Sequence, residues 1–154
     1  MKKTLTILFL LFIYHISAQE YKKVEMCDLK FESNIDSTEM TVSKNGKLLS
    51  GMYKISGVLP NQYSLTEFIN GKAEGKSTTI YKDTVIREKH FQNGLPNGLW
   101  IEYEDSGKTI MRKIPYSNGI LHGIGLFYDK EVYYWFGERV PKLVYEKNKA
   151  EEKN

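Results

Sequence analysis

Three histidines, one cysteine and a short run of carboxylates are the side chains of this sequence best suited to chemistry. His15 lies inside an N-terminal apolar stretch, which leaves His90 and His122 as general bases or metal ligands. Neither has a cysteine or a second histidine at the short spacing that zinc sites use, so no metal site is expected. His122 stands where two similar segments carry Glu74 and Asn97, and a position that takes Glu, Asn or His suits a solvated turn. His90 alternates with Ile86 and Glu88, the spacing of a surface or half-buried strand residue. Cys27 precedes Asp28, has no histidine near it in sequence, and reads as an inert strand cysteine rather than a nucleophile. Glu102, Glu104 and Asp105 could pair as acid and base, but their alternation fits the wet face of a hairpin more simply. The chain has no Gly-x-Ser-x-Gly elbow, no phosphate-cradling Gly-x-x-x-x-Gly-Lys loop and no dinucleotide fingerprint. Gly119, Gly123 and Gly125 are close together but open no helix that could face a phosphate. No catalytic residue, metal or cofactor is therefore expected, and the chain is read as a non-enzyme.

Aromatic residues carry more weight, with 11 Tyr, 7 Phe and 2 Trp in 154 residues, enough to build a recognition surface as well as a core. Leu99, Ile101 and Tyr103 point to one side of a strand, and Trp100, Glu102 and Glu104 to the other. Trp100 is thus out of phase with its apolar neighbours. Tyr133, Tyr134, Trp135 and Phe136 run consecutively, so one side of that strand must look away from a core unless another layer covers it. Rigid aromatics on a polar sheet face make a reasonable binding surface. Trp100, Tyr133, Tyr134 and Trp135 are its candidate residues, with partial cover of both sheet faces by the N-terminal strands and the tail as the competing explanation.

The elements that must position these residues begin after a segment that reads as an export signal. Lys2 and Lys3 precede an apolar run from Leu5 to Ile16, and Ser17-Ala18-Gln19 offers a cleavage zone. The run is shorter than the roughly 20 apolar residues of a spanning helix. Cys27 lies beyond Glu20-Tyr21-Lys22-Lys23, too far along for lipid attachment, and a single cysteine makes no internal disulfide. Cleavage after Gln19 would leave 135 residues, the size of one domain. Lys2 and Lys3 account for two of the 22 basic residues and none of the 19 acidic ones, so the formal charge would fall from +3 to +1. That balance gives no broad field for nucleic acid and little attraction to a membrane surface.

Self-similarity dominates the remainder. Asn-Gly pairs occur at 45–46, 70–71, 93–94 and 118–119, spaced by 25, 23 and 25 residues. The last three follow an aromatic (Phe68, Phe91, Tyr116) two places before the Asn. A second glycine (Gly75, Gly98, Gly123) comes four places after the first. Tyrosines follow at Tyr103 and Tyr128, with Ile80 and Tyr81 at the earlier equivalent. Asn-Gly accepts positive φ at both positions, so each pair predicts the turn of a β-hairpin. The second glycine predicts a bulge or a close approach to the next repeat. Strands are predicted across Thr84–Phe91, Lys108–Ile114 and Glu131–Phe136, and no long helical period with caps is found.

The segments Phe68–Gly75, Phe91–Tyr103 and Tyr116–Tyr128 resemble the MORN repeat, and more closely its bacterial variant, which is often catalogued as an antitoxin component. The resemblance spans about residues 66 to 130, with Asn45–Gly51 as a degenerate first copy. Ser77 and Gly125 depart from the family pattern, which usually has tryptophan there. The resemblance implies a chain of antiparallel hairpins in one extended, twisted sheet. Stacking would supply each hairpin with the contacts it cannot make alone. The expected organisation is a signal peptide over 1–19, N-terminal strands with a degenerate repeat over 20–65, and MORN-like repeats over 66–130. C-terminal strands follow over 131–146, then a polar tail, frayed or weakly helical, over 147–154. The function expected is an exported, periplasmic or extracellular, all-β module that binds or scaffolds a protein partner without catalysis. The alternatives are an antitoxin-like neutraliser, which export argues against, and a peripheral binder of membrane surfaces.

Overall fold

A computed structural model describes residues 20–34 and 40–152; the segment read as an export signal lies outside the described residues. The described residues are all-β apart from a single 3-10 turn at Met26–Asp28 and one short helix. In order its strands are β1 (Lys22–Glu25), β2 (Leu29–Ser33), β3 (Met40–Lys44), β4 (Lys47–Leu48), β5 (Gly51–Ser56), β6 (Gln62–Ile69), β7 (Lys72–Tyr81) and β8 (Thr84–Gln92). They continue as β9 (Leu95–Pro96), β10 (Gly98–Tyr103), β11 (Ile110–Ser117), β12 (Ile120–Leu121), β13 (Gly123–Phe127), β14 (Lys130–Trp135) and β15 (Glu138–Val140), followed by helix α1 (Lys142–Glu151). Twelve strands form one sheet in the order β1-β5-β6-β7-β8-β10-β11-β13-β14-β15, with β9 on β8 and β12 on β11. The remaining strands, β2-β3-β4, form a separate three-stranded sheet. The large sheet is antiparallel except at its first edge, where β1 runs parallel to β5.

The Asn-Gly pairs make the turns expected of them. Asn45, Asn70, Asn93 and Asn118 hold φ of 51, 49, 51 and 47°, and the glycines after them 72, 80, 82 and 84°. Positive φ at both places is the type I′ geometry whose twist suits a hairpin. The last three turns also rest on the repeat before each. The amide of Gly71 donates to the Leu49 carbonyl (2.7 Å), that of Gly94 to Ala73 (2.9 Å) and that of Gly119 to Pro96 (2.7 Å). The second glycines Gly75, Gly98 and Gly123, at φ of 65, 94 and 111°, mark a recurrent irregularity. Around each the pairing slips by two residues. Phe68 pairs with Ala73 but Leu65 with Thr78, Phe91 with Pro96 but Glu88 with Ile101, and Tyr116 with Leu121 but Lys113 with Leu126. The slip lifts the residue before the glycine toward the next turn. Glu74 Oε2 accepts from the Asn93 amide (2.8 Å) and Asn97 Oδ1 from the Asn118 amide (3.4 Å). Ser50, before Gly51, accepts from the Asn70 amide in the same way (3.1 Å).

The same contacts reveal a turn the sequence pattern conceals. Phe136 and Gly137 hold φ of 44 and 92°. Gly137 donates to the Leu121 carbonyl (2.8 Å), and the Phe136 amide points at His122 Nδ1 (3.4 Å). Phe136-Gly137 therefore occupies the place of an Asn-Gly pair, and His122 the place of Glu74 and Asn97. A large side chain in the left-handed region is unusual and has no propensity signal.

Three expectations need correction. Residues 142–146, expected as strand, are helical, and α1 extends through the tail to Glu151. Pro141 has no N–H to continue a ladder and suits a helix start. The helix is held by Tyr145, whose ring meets Tyr133 (5.4 Å) and Trp135 (5.6 Å). Tyr128, which the repeat pattern equates with the strand residue Tyr103, does not lie in a strand. At φ 52° it opens the turn after the short β13, with its amide bonded to the Met111 carbonyl (2.6 Å). Finally, the N-terminal strands do not all extend the large sheet. The β2-β3-β4 sheet lies across one of its faces, burying Val42 and Leu49 against Val24, Ile55 and Phe68. Val42 donates to the Gly71 carbonyl (2.7 Å), fixing this second layer to a repeat turn.

Candidate functional site

Among the described residues the second layer covers only the first repeats, and no other element lies over the same face of the large sheet beyond its edge. Cross-strand register brings Arg87 beside Glu102, Glu102 beside Arg112, and Trp100 beside Ile114 on that face. Lys89 and Phe91, alternating with Arg87 along β8, belong to it as well. The aromatics form a row. Trp100 lies 5.5 Å from Phe91 and 4.7 Å from Tyr116, ring centre to ring centre. Its indole N–H donates to the His90 carbonyl (3.2 Å), and Lys89 Nζ sits 4.1 Å from its ring centre. A cation over indole and a tilted aromatic pair on each side hold Trp100 in one orientation.

Charge on this face is unbalanced. Glu102, mostly covered, accepts from Arg87 Nε (3.0 Å) and Arg112 Nε (2.8 Å). Both guanidiniums stay partly exposed, and among the described residues no carboxylate reaches salt-bridge distance of Lys89. Burial, and then the Arg87 charge, pull the Lys89 ammonium below its ordinary pKa, with Glu102 opposing them. Burial, and then Tyr134 and Glu102, push the Tyr116 phenol up.

Where the small sheet overhangs the large one, a groove of about 230 Å³ opens beside Arg87, Lys89 and Phe91. Its overhanging side carries Met26, Phe31 and Met40, exposed by 38, 51 and 46% although apolar. Deeper in, the hydroxyls satisfy one another, Thr66 with Ser77 (2.7 Å) and Ser64 with Thr79 (3.0 Å). The interior thus presents no unpaired polar side chain and behaves as an apolar cleft with a cationic rim.

The four aromatics singled out in the sequence do not form one surface. Trp100 and Tyr134 share the open face, Tyr134 being paired with Gly123 and lying near Tyr116. Tyr133 and Trp135 point to the opposite face, under α1, and Tyr133 is buried. Its hydroxyl bonds to Glu131, which holds the phenol above its ordinary range, and Lys142 lies close by. Leu99, Ile101 and Tyr103 do lie opposite Trp100, but no second layer buries them there, and Leu99 is 41% exposed. Of the repeat aromatics, Phe68 is core, while Phe91 and Tyr116 line the open face. Lys89, Arg87 and Arg112 were not singled out from sequence, and Phe91 only as a repeat aromatic, although the phase of Trp100 and Glu102 points to their side.

The residues considered for catalysis are engaged separately. His90 Nδ1 lies 3.1 Å from the Leu99 carbonyl, and His122 packs against the rings of Trp135 (4.8 Å) and Phe136 (4.9 Å). Cys27 is exposed, and the carboxylate of Asp28 beside it is paired with Lys44 (2.8 Å). Among the described residues no group of three or more His, Cys, Asp and Glu could hold a metal ion, and no helix is long and apolar enough to cross a membrane. Compared with models of protein families, with curated proteins and with solved structures, the chain matches none.

Truncating Trp100 tests how much of this face is structural. Trp100→Ala removes the aromatic row's centre, a cation–π contact and one hydrogen bond from a half-buried place. The expected loss is about 2 kcal/mol by urea unfolding, below the roughly 3–5 kcal/mol of a fully buried aromatic. A loss as large as the buried case would mean that this face is covered.

Proposed function

We propose that the protein is an exported, non-catalytic module of MORN-like repeats that binds a protein partner through this open face. The observation that carries the reading is the row Phe91–Trp100–Tyr116, held rigid on the sheet, partly exposed and bordered by Lys89 and two arginines. Rigid aromatics and arginine are the residue types that concentrate binding energy at interfaces. Histidines and carboxylates tied up in turn contacts and ion pairs fit a binding role better than turnover. The recurrent turn-on-turn contacts support a repeat architecture, whose extended surface is the usual working part.

Affinity capture from the native envelope fraction, followed by mass spectrometry, should enrich one protein in nearly equal amount to the bait. Capture that enriches nothing would count against the binding role. Export has its own check. N-terminal sequencing of the protein from an exporting host should find a chain starting within a few residues of Glu20. An intact Met1 on a cytoplasmic protein would reject export and restore the antitoxin alternative.

A further inference from the structure

We infer that the cleft between the two sheets receives one large apolar side chain of an acidic, extended protein segment, whose carboxylates face Lys89, Arg87 and Arg112. The inference rests on the binding-module reading and gives that partner a chemistry.

The size of the cleft decides what can enter. At about 230 Å³ it lies below the roughly 300–1,000 Å³ of pockets that enclose a whole small molecule. It has room for a single anchor side chain, which is how a protein partner seats a hot spot. The cleft is also partly open to solvent, with Phe31 and Met40 of the small sheet and Phe91 of the large one in its lining. An extended chain can therefore pass over it while inserting one residue.

The rim decides the sign. Arg87 and Lys89 line the cleft, and Arg112 lies two strands beyond on the same face. The one carboxylate ion-paired among them, Glu102, already accepts from both arginines. Among the described residues Lys89 has the Trp100 ring as its near partner and no carboxylate at salt-bridge distance, in a partly desolvated place. Such an ammonium gains from an incoming anion more than a fully hydrated one does, because part of its water is already gone. A basic segment would instead meet uncompensated like charge.

The full-length chain, expressed in an exporting host with ¹⁵N labelling, can be titrated with an acidic pentapeptide built around one phenylalanine. Chemical-shift changes should fall on residues 87–91, the Trp100 indole N–H and Arg112. Binding should weaken about tenfold in Lys89→Glu and less in Lys89→Gln, which keeps the side chain's bulk. It should also weaken when the peptide's phenylalanine becomes serine. Equal binding of a lysine-containing counterpart, shifts spread over the whole sheet, or indifference to Lys89→Glu would overturn the inference. So would displacement of the peptide by phosphatidylglycerol vesicles with the same dependence on Lys89, which would make the rim a membrane contact. A captured envelope protein whose binding ignores Lys89 would leave the binding module standing and reject only this chemistry.

Discussion

Gly94→Val is expected to cost about 3–4 kcal/mol of stability, because two independent penalties meet at one residue. Gly94 holds φ +82°, which a β-branched residue resists, and a Cβ placed there would lie 2.6 Å from the Met40 carbonyl oxygen. That oxygen is backbone of the small sheet, so relief requires moving the second layer away from the repeat turn. Gly75 supplies the control. Its φ is +65°, but nothing lies within 4 Å of its Cβ position, so Gly75→Val should lose only the conformational part, about 1–2 kcal/mol. Gly98, at φ +94° with the His90 Cβ 3.4 Å away, should fall between them. Urea midpoints for the three variants give the order directly. Equal losses would mean that the small sheet does not rest on the Gly94 turn.

Phe68→Ala should be comparably severe, about 3–5 kcal/mol, the range for emptying a buried aromatic site. Phe68 is 4% exposed, packs in the cluster with Val24, Val42, Leu49 and Ile55, and meets Tyr53 edge-on at 5.8 Å. It stands at the same repeat position as Phe91 and Tyr116, yet only Phe68 lies under the small sheet. Its truncation should therefore cost clearly more than that of Trp100. Similar losses for the two would show the second layer reaching further along the face than the register places it.

What could be read in the sequence was what is local. Asn-Gly and the glycine after it impose backbone angles by themselves, so the hairpins and their irregularity were legible at three full repeats and one degenerate one. Phe136-Gly137 was not, since its turn is imposed by contacts with Leu121 and His122 rather than by its own residue types. The two layers were hidden for a related reason. Strand alternation gives the phase of Trp100 against Leu99 but not which phase is covered, and cover depends on where β2, β3 and β4 land. Residues 142–146 of helix α1 were missed, though the tail after them was read as frayed or weakly helical, because Leu143-Val144-Tyr145 has strand composition. Only Tyr145 is buried, so the segment has no apolar stripe to betray a helix. The aromatic row was half visible: Trp100 stood out, but its partners Phe91 and Tyr116 looked like ordinary repeat core.

If the protein binds its partner through the open face of its large sheet, as we propose, its affinity must depend on the charges of that face. The most direct test is the dissociation constant of the captured envelope partner, measured against three purified proteins. These are the unaltered chain, a variant reversing Arg87 and Lys89 to glutamate, and a variant reversing Lys113, which lies on the opposite face beside Ile101. The double reversal should weaken binding by about a hundredfold or more, the scale of an interface hot spot, while Lys113→Glu leaves it within about twofold. Equal affinity for all three proteins, or a loss confined to Lys113→Glu, would contradict the assignment of this face.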